Sequence, residues 1–232
     1  MSYLDSCFTN KIEKSNVNTI FELGSRDLVD ASRLYEYYQC PIYSFECNPD
    51  CLDACKRTYQ TFNDQTKSNI HLIDKAVALE NGYLTFYAFD LSLYNNMGSS
   101  SLLKIDFTTR DRNDPDYNRP NPQKEVTVPG TRLDTFIDQT GVTPDMLCMD
   151  LQGYELNALK SMGQYIHKTR YIITECSLKS TYTSGVSFSE LNEYLNSVGF
   201  TYVCSNKFGS TVPNSSLTGY CEFDALYENT RL

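Results

Sequence analysis

The 232-residue chain has only two histidines, His71 and His167, and it carries no excess of positive charge. Scarce histidine argues against a zinc centre and against a serine–histidine hydrolase, because both need imidazole groups in the active site. The formal net charge is −9. Since phosphate recognition requires a basic surface, this charge argues against a nucleic acid as partner.

The sequence also lacks the segments that take a chain to or through a membrane. No apolar run approaches the roughly 20 residues of a transmembrane helix, and residues 1–6 contain neither the basic nor the apolar region of a signal peptide. The nine cysteines are an odd number, which is typical of reduced thiols. Cys47, Cys51 and Cys55 share one helical face, and this spacing indicates packing thiols rather than cluster ligands. We therefore expect a cytoplasmic protein.

Strands and helices alternate along the chain. The predicted strands span residues 19–23, 42–45, 70–73, 126–128, 146–149, 171–174, 200–204 and 223–227. This alternation predicts an α/β fold with a parallel sheet and helices on both faces. The last two strands have no helix between them, so we expect an antiparallel pair at one edge. The whole chain, 1–232, is predicted to form one domain.

Three less regular segments accompany this pattern. Residues 1–17 predict an N-terminal arm or helix, and Asn81-Gly82 predicts a hairpin into residues 83–89. The polar, proline-bearing stretch 106–124 is a candidate substrate lid, with a solvated loop as the alternative. The serines of residues 99–101 fit either a ligand contact or a plain turn.

Acidic residues stand where several of the predicted strands end. In an open α/β sheet, ligands bind just beyond the carboxyl ends of the strands. Glu22 ends the first strand and is followed by Gly24, which allows the backbone to approach a ligand closely. Only one glycine is present, so this turn is neither a dinucleotide fingerprint nor a P-loop. A carboxylate at position 22 suits a cationic or zwitterionic ligand better than a phosphate.

The next two strand ends extend this pattern to a nucleoside. Glu46 lies about 20 positions after Gly24, a spacing that suits the two hydroxyls of a ribose. Asp74 ends the third strand, where it is predicted to accept from an adenine amino group. A nucleoside without a diphosphate describes S-adenosylmethionine. The predicted cofactor site comprises Glu22, Gly24, Ser25, Glu46, Cys47, Asp74, Lys75, Ala76 and Asp150.

The fourth and fifth strands end on Asp150 and Glu175, which are the candidate general bases. A hydroxyl nucleophile is a weak acid, so a carboxylate base works best with a raised pKa or beside a metal ion. Asp150, Glu175 and Glu155 are the candidate ligands if Mg²⁺ takes part. For Glu155, the alternative is a favourable charge in the first turn of its helix.

Four segments together resemble the FkbM family of class I, S-adenosylmethionine-dependent O-methyltransferases. They are Phe21-Glu22-Leu23-Gly24, Phe45-Glu46-Cys47-Asn48-Pro49, Thr131-Arg132-Leu133-Asp134 and Met149-Asp150-Leu151-Gln152-Gly153-Tyr154-Glu155. The resemblance implies a Rossmann-like, seven-stranded, mostly parallel sheet with an antiparallel last strand. It also implies methylation of a hydroxyl on a sugar, glycan or related metabolite. The family more often has Asp at position 22 and Glu at position 152, and Gln152 is a poor candidate for a general base.

Two alternatives remain open. An RNA ribose 2′-O-methyltransferase commonly needs a lysine beside its catalytic acids and a basic track, and neither is evident here. A catalytically inactive methyltransferase fold that only binds is the other alternative. The acids retained at the four strand ends argue against it.

Overall fold

The computed structural model describes residues 3–92, 97–106, 122–214 and 221–232. The strands are β1 (Ile20–Leu23), β2 (Ile42–Glu46), β3 (Ile70–Asp74), β4 (Ala76–Val77), β5 (Gly82–Phe89), β6 (Gln123–Thr131), β7 (Met146–Met149), β8 (Tyr171–Ser177), β9 (Phe200–Ser205) and β10 (Glu222–Asn229). The helices are α1 (Ser6–Thr9), α2 (Val29–Tyr38), α3 (Pro49–Thr61), α4 (Asp64–Asn69), α5 (Leu133–Thr140), α6 (Glu155–Lys160) and α7 (Phe188–Ser197).

Seven strands form one sheet in the order β3-β2-β1-β7-β8-β10-β9. The first five in this order run parallel, and β10 runs antiparallel between β8 and β9. All four residues of β1 and of β7 are buried, as expected for central parallel strands covered on both faces. This arrangement confirms the predicted fold class, including the reversed last strand.

Two of the helices that follow these strands, α3 and α7, begin where the local sequence supplies a side-chain cap. At α3, the Asn48 side chain accepts from the backbone N–H of Asp50, and Pro49 occupies the first helical position. At α7, Ser187 and Glu190 form a capping box. Cys51 and Cys55 of α3 are buried together with Cys47, and burial raises the pKa of all three thiols. The prediction of packing thiols is confirmed.

A second, three-stranded sheet with the order β4-β6-β5 was not expected. The predicted hairpin at Asn81-Gly82 is wrong, because β6 lies between β4 and β5 and pairs with both. The apolar side chains of β5 find their partners about forty residues further along the chain, where Phe86 and Ala88 pack with Val128. Local turn chemistry does not reveal so distant a partner. Cys47 belongs to the same cluster, which places this small sheet beside the carboxyl end of β2.

The N-terminal arm, residues 3–17, packs against one face of the large sheet. Its short helix α1 buries Phe8 completely, and Phe8 shares a core cluster with Ile173 and Leu226. The backbone N–H of Glu13 donates to the Tyr171 hydroxyl at 3.2 Å. Most of the candidate lid, 107–121, lies outside the described residues. Over the parts of the chain that are described, no helix combines the length and apolarity needed to cross a membrane.

Candidate cofactor and active site

A cavity opens at the carboxyl ends of β1, β2 and β7. Because these strands are parallel neighbours, their last residues meet at the same edge of the sheet. Of the predicted cofactor residues, the lining includes Glu22, Gly24, Ser25, Glu46, Cys47, Lys75, Ala76 and Asp150. Asp74 is exposed at the end of β3 and is not part of the lining. The chain turns away directly after Asp74 to enter the second sheet, and Lys75 and Ala76 reach the cavity instead.

The turn after β1 wraps closely around the cavity. Gly24 has a φ of +88°, and a Cβ atom there would lie 2.1 Å from the backbone oxygen of Asp150. The N–H groups of Gly24 and Ser25 both donate to the carbonyl of Phe45 on the neighbouring strand. Arg26 also has a positive φ, of 58°, in the region that favours glycine. The first loop thus holds the ends of β1, β2 and β7 together at the cavity wall.

Glu22 presents an unsatisfied carboxylate oxygen at this wall. The residue is 1% exposed, and its Oε2 atom has no hydrogen-bond partner among the described residues. Burial raises the pKa of Glu22 to about 8, and the nearby Ser44 and Ser25 hydroxyls oppose this rise. Neither hydroxyl completes a hydrogen bond of normal geometry. A buried acceptor without a donor is costly, and a cationic ligand group in the cavity would satisfy it.

Glu46 is held rigidly by backbone groups. Its Oε1 atom accepts from the N–H groups of Cys47 and Asn48, each at 2.8 Å, and its Oε2 atom accepts from that of Arg26 at 2.8 Å. Burial raises the pKa of Glu46, and these three hydrogen bonds oppose the rise. Each carboxylate oxygen accepts more than one hydrogen bond, so the fixed carboxylate can also receive a ligand diol.

Asp150 and Glu175 are bridged by the side chain of Gln152. The amide nitrogen of Gln152 donates to Asp150 Oδ1 at 2.7 Å and to Glu175 Oε2 at 2.8 Å. The hydroxyl of Tyr182 donates to the amide oxygen of Gln152 at 2.8 Å, and the carbonyl oxygen of Ser99 lies 3.0 Å from the same hydroxyl. Gln152 thus uses its whole amide group to hold two acids side by side.

The two bridged acids differ in their position. Asp150 lines the cavity, whereas Glu175 lines a second, smaller pocket. Burial raises the pKa of both carboxyls, and the negative charge of Asp150 adds to the rise at Glu175. Asp150 is therefore the acid whose carboxylate can reach an acceptor bound in the cavity.

Glu155 serves the backbone of the same loop. Its Oε1 atom accepts from the N–H of Leu151 at 2.9 Å and from that of Gly153 at 3.2 Å. Burial raises the pKa of Glu155 to about 7. Among the residues that the structure describes, no three Asp, Glu, His or Cys side chains form a group that could hold a metal ion. The candidate Mg²⁺ ligands Asp150, Glu175 and Glu155 form no such group; Gln152 donates to the first two, and the third bonds to backbone.

Several residues of the site were not predicted from the sequence. Gln152 and Tyr182 are 30 positions apart, and neither carries a motif that indicates their contact. Ser101 donates to the carbonyl oxygen of Gln152 at 3.0 Å, while the Asn48 side chain donates to Ser100 Oγ at 3.1 Å. The serine stretch therefore lines the cavity and connects the segments that follow β2 and β7. Tyr3 of the N-terminal arm also lines the cavity.

The sheet is parallel except for one reversed strand, and acids at its strand ends line a cavity that suits a nucleoside. This arrangement defines the Rossmann-like methyltransferase class. Residues 26–202 match the model of the methyltransferase FkbM domain, and the chain belongs to this family. The match confirms the predicted family and methyltransferase class, with S-adenosylmethionine as cofactor. The unpaired Oε2 atom of Glu22 and the close turn at Gly24 fit that cofactor.

Similar folds occur among solved structures. Magnesium protoporphyrin IX methyltransferase from Synechocystis PCC 6803 with bound SAM is 6% identical (TM-score 0.45), covering 92% of this chain and 70% of that one. TrmK from M. capricolum in complex with S-adenosylhomocysteine is 11% identical with a TM-score of 0.49, covering 94% of this chain and 66% of that one. A putative tRNA (m1A22) methyltransferase from Streptococcus pneumoniae is 12% identical with a TM-score of 0.47, covering 93% of this chain and 69% of that one. A comparison with curated proteins found no match. Likenesses of this degree assign no acceptor.

Proposed function

We propose that the protein is an O-methyltransferase that transfers a methyl group from S-adenosylmethionine to a hydroxyl of a sugar, glycan or related metabolite. The observation that carries the proposal is the position of Asp150. Its carboxylate lines the cavity at the end of β7, and Gln152 fixes it beside a second acid. Transfer to a hydroxyl oxygen requires a base at this position, whereas transfer to a neutral amine nitrogen does not.

The cavity residues suit the parts of the cofactor in turn. The unpaired Oε2 atom of Glu22 suits the ammonium group of the methionine end. The carboxylate of Glu46, which accepts three hydrogen bonds from backbone N–H groups, suits the ribose diol. Gly24 lets the turn after β1 lie directly against the backbone of Asp150, which brings the ends of β1 and β7 together. Asp74 is not assigned to adenine, because its side chain lies outside the cavity lining.

The reaction needs an aligned nucleophile and the removal of one proton. When bound, S-adenosylmethionine supplies an electrophilic methyl group on a sulfonium. The carboxylate of Asp150 would take up the hydroxyl proton of the acceptor as its oxygen becomes methylated, and S-adenosylhomocysteine would be the leaving group. Gln152 holds that carboxylate in place throughout. Among the described residues, the three candidate Mg²⁺ ligands do not form a common site.

The charges around the site favour a neutral polyol over an anionic acceptor. The smaller pocket, of about 10 Å³, is lined by the acids Glu155, Glu175 and Glu222 and adds negative charge near the site. In the described lining of both pockets, the basic side chains are Arg26 and Lys75, both in the cofactor cavity. Carboxylates repel an anionic acceptor, and an RNA backbone needs cationic partners. This charge pattern argues against the RNA alternative.

Calorimetric titration with S-adenosylmethionine and S-adenosylhomocysteine tests the cofactor assignment. We expect micromolar binding by the wild type and its loss in Glu46→Ala, because that change removes the fixed acceptor for the ribose. Methyl transfer from radiolabelled cofactor to a panel of sugars and glycans, with Mg²⁺ and with EDTA, then tests the acceptor class. An RNA panel is the matched alternative. A folded wild type that binds neither compound would contradict the proposal and favour the inactive binding module.

Cofactor binding should release a proton from Glu22. Burial raises the pKa of its carboxyl to about 8, so the group is mostly protonated at pH 6.5. An ammonium group beside it favours the ionised form and lowers that pKa. Calorimetry at pH 6.5 in buffers of different ionisation enthalpy should show about one proton less released by Glu22→Gln than by the wild type. Equal proton release by the two proteins would place the ammonium elsewhere.

The same raised pKa affects the stability of the cofactor-free protein. A carboxyl whose pKa is higher in the folded state than in the unfolded state stabilises the fold at low pH. The contribution of Glu22 to the free energy of unfolding is complete below 4.5, the pKa of this carboxyl in the unfolded chain. It declines as the pH rises to about 8, the pKa in the folded protein. Glu22→Gln removes this decline, so the variant should lose less stability than the wild type between pH 5 and pH 8. Urea unfolding followed by circular dichroism measures the difference.

A further inference from the structure

Tyr3 belongs to the N-terminal arm, yet its side chain reaches the cofactor cavity. The residue is 4% exposed and lines the cavity together with Glu22, Asp30 and Asp150. It lies ahead of residues 26–202, the part of the chain that matches the family model, so family membership gives it no role. A tyrosine in this position needs a physical account of its own.

The arm reaches the cavity because it covers the face of the sheet on which the cavity acids project. Side chains alternate along a strand, so Ile20 and Glu22 of β1 lie on one face, as do Met146 and Cys148 of β7. Ile20, Met146 and Cys148 share a buried cluster with Phe8 of the arm and with Tyr3 itself. From Phe8 the arm continues to the carboxyl edge of the sheet, where Tyr3 stands beside Glu22 and Asp150.

The hydroxyl of Tyr3 is a neutral donor in this setting. Burial, followed by the negative charge of Asp150, raises its pKa well above the usual value, so the phenol keeps its proton. A phenol that keeps its proton donates a hydrogen bond, so the ligand group that it can bind is one that accepts. The methionine end of the cofactor carries such a group, its own carboxylate, next to the ammonium assigned to Glu22.

We propose that Tyr3 binds the methionine end of the cofactor, with its hydroxyl donating to the ligand carboxylate and its ring closing that end of the cavity. The inference rests on the proposed function, because it takes S-adenosylmethionine as the ligand. It extends the cofactor site from the strand ends to the N-terminal arm.

Two ligands separate a contact with the methionine end from a general effect on the cavity. S-adenosylhomocysteine has the amino-acid group, and 5′-methylthioadenosine has the same nucleoside and a neutral sulfur without it. We expect Tyr3→Ala to weaken S-adenosylhomocysteine binding at least about tenfold, the scale of a hydrogen bond to a charged group plus lost ring contact. Binding of 5′-methylthioadenosine should stay within about twofold of the wild type. Tyr3→Phe should fall between the wild type and Tyr3→Ala for S-adenosylhomocysteine.

Leu4→Ala is the matched control, because Leu4 is a partly buried neighbour that packs against the same core cluster. It should lower thermal stability without changing the affinity for either ligand. Equal losses for both ligands in Tyr3→Ala, or a loss in Leu4→Ala as large as that in Tyr3→Ala, would overturn the assignment in favour of arm packing. Unchanged affinities in a wild-type-like Tyr3→Ala protein would also overturn it. A folded wild type that binds neither ligand would instead contradict the proposed function.

Discussion

Gly24→Ala is expected to abolish cofactor binding and to lower the free energy of unfolding by about 2–5 kcal/mol, the sum of a left-handed backbone cost and an overpacking cost. The φ of +88° at Gly24 disfavours any side chain, and the added Cβ atom would lie 2.1 Å from the backbone oxygen of Asp150. Backbone cannot move aside as a flexible side chain can. Relief therefore requires the ends of β1 and β7 to separate, and that movement displaces both Glu22 and Asp150.

Gly141→Ala separates the two causes of this effect. Gly141 ends α5 with a φ of +72°, but a Cβ atom there would meet nothing within 4 Å. Its substitution should cost only the backbone conformation, about 1–2 kcal/mol, and should leave cofactor affinity unchanged. Urea unfolding and calorimetry of both variants provide the comparison. If Gly24→Ala lowers the free energy of unfolding no more than Gly141→Ala and still binds the cofactor, the close approach to Asp150 contributes neither to stability nor to cofactor binding.

The sequence reveals the acids of the cofactor site because they follow from strand order alone. In parallel strands, a residue that ends one strand lies beside the residue that ends its neighbour. Glu22, Glu46 and Asp150 could therefore be assigned to one edge before the structure was known, and all three line the cavity. Asp74 also ends a parallel strand, but it does not line the cavity. Its strand β3 is at the edge of the sheet, and the chain leaves it at once for the second sheet.

The contacts between loops could not be predicted in this way. Gln152 adopts a φ of +54°, an unusual conformation for a residue with a side chain, and it meets Tyr182 from the loop after β8. The pairing depends on the shape of two loops, which no periodic pattern encodes. Tyr3 reaches the site through the packing of the arm across a sheet face. The sequence thus predicts which carboxylates the strands deliver, and tertiary packing decides which side chains hold or surround them.

Asp150→Asn is expected to lower the rate of methyl transfer by about 10²–10⁴-fold, the usual contribution of a general base. The carboxamide has the shape of the carboxylate and keeps an oxygen that can accept from Gln152, so the cavity should remain intact. Its oxygen does not take up the acceptor proton. Cofactor affinity measured by calorimetry should therefore change little, while kcat for the acceptor identified in the sugar panel falls.

Glu175→Gln tests which of the two bridged acids is the base. Glu175 is not part of the lining of the cavity in which Asp150 lies. A side chain outside that lining does not reach an acceptor bound there, and glutamine keeps an oxygen that can accept from Gln152. We expect the kcat of the Glu175→Gln enzyme to fall by less than about tenfold, against the 10²–10⁴-fold loss expected of a base. A larger loss in Glu175→Gln than in Asp150→Asn would reverse the two roles, because proton transfer would then pass through Glu175 rather than through the acid that lines the cavity.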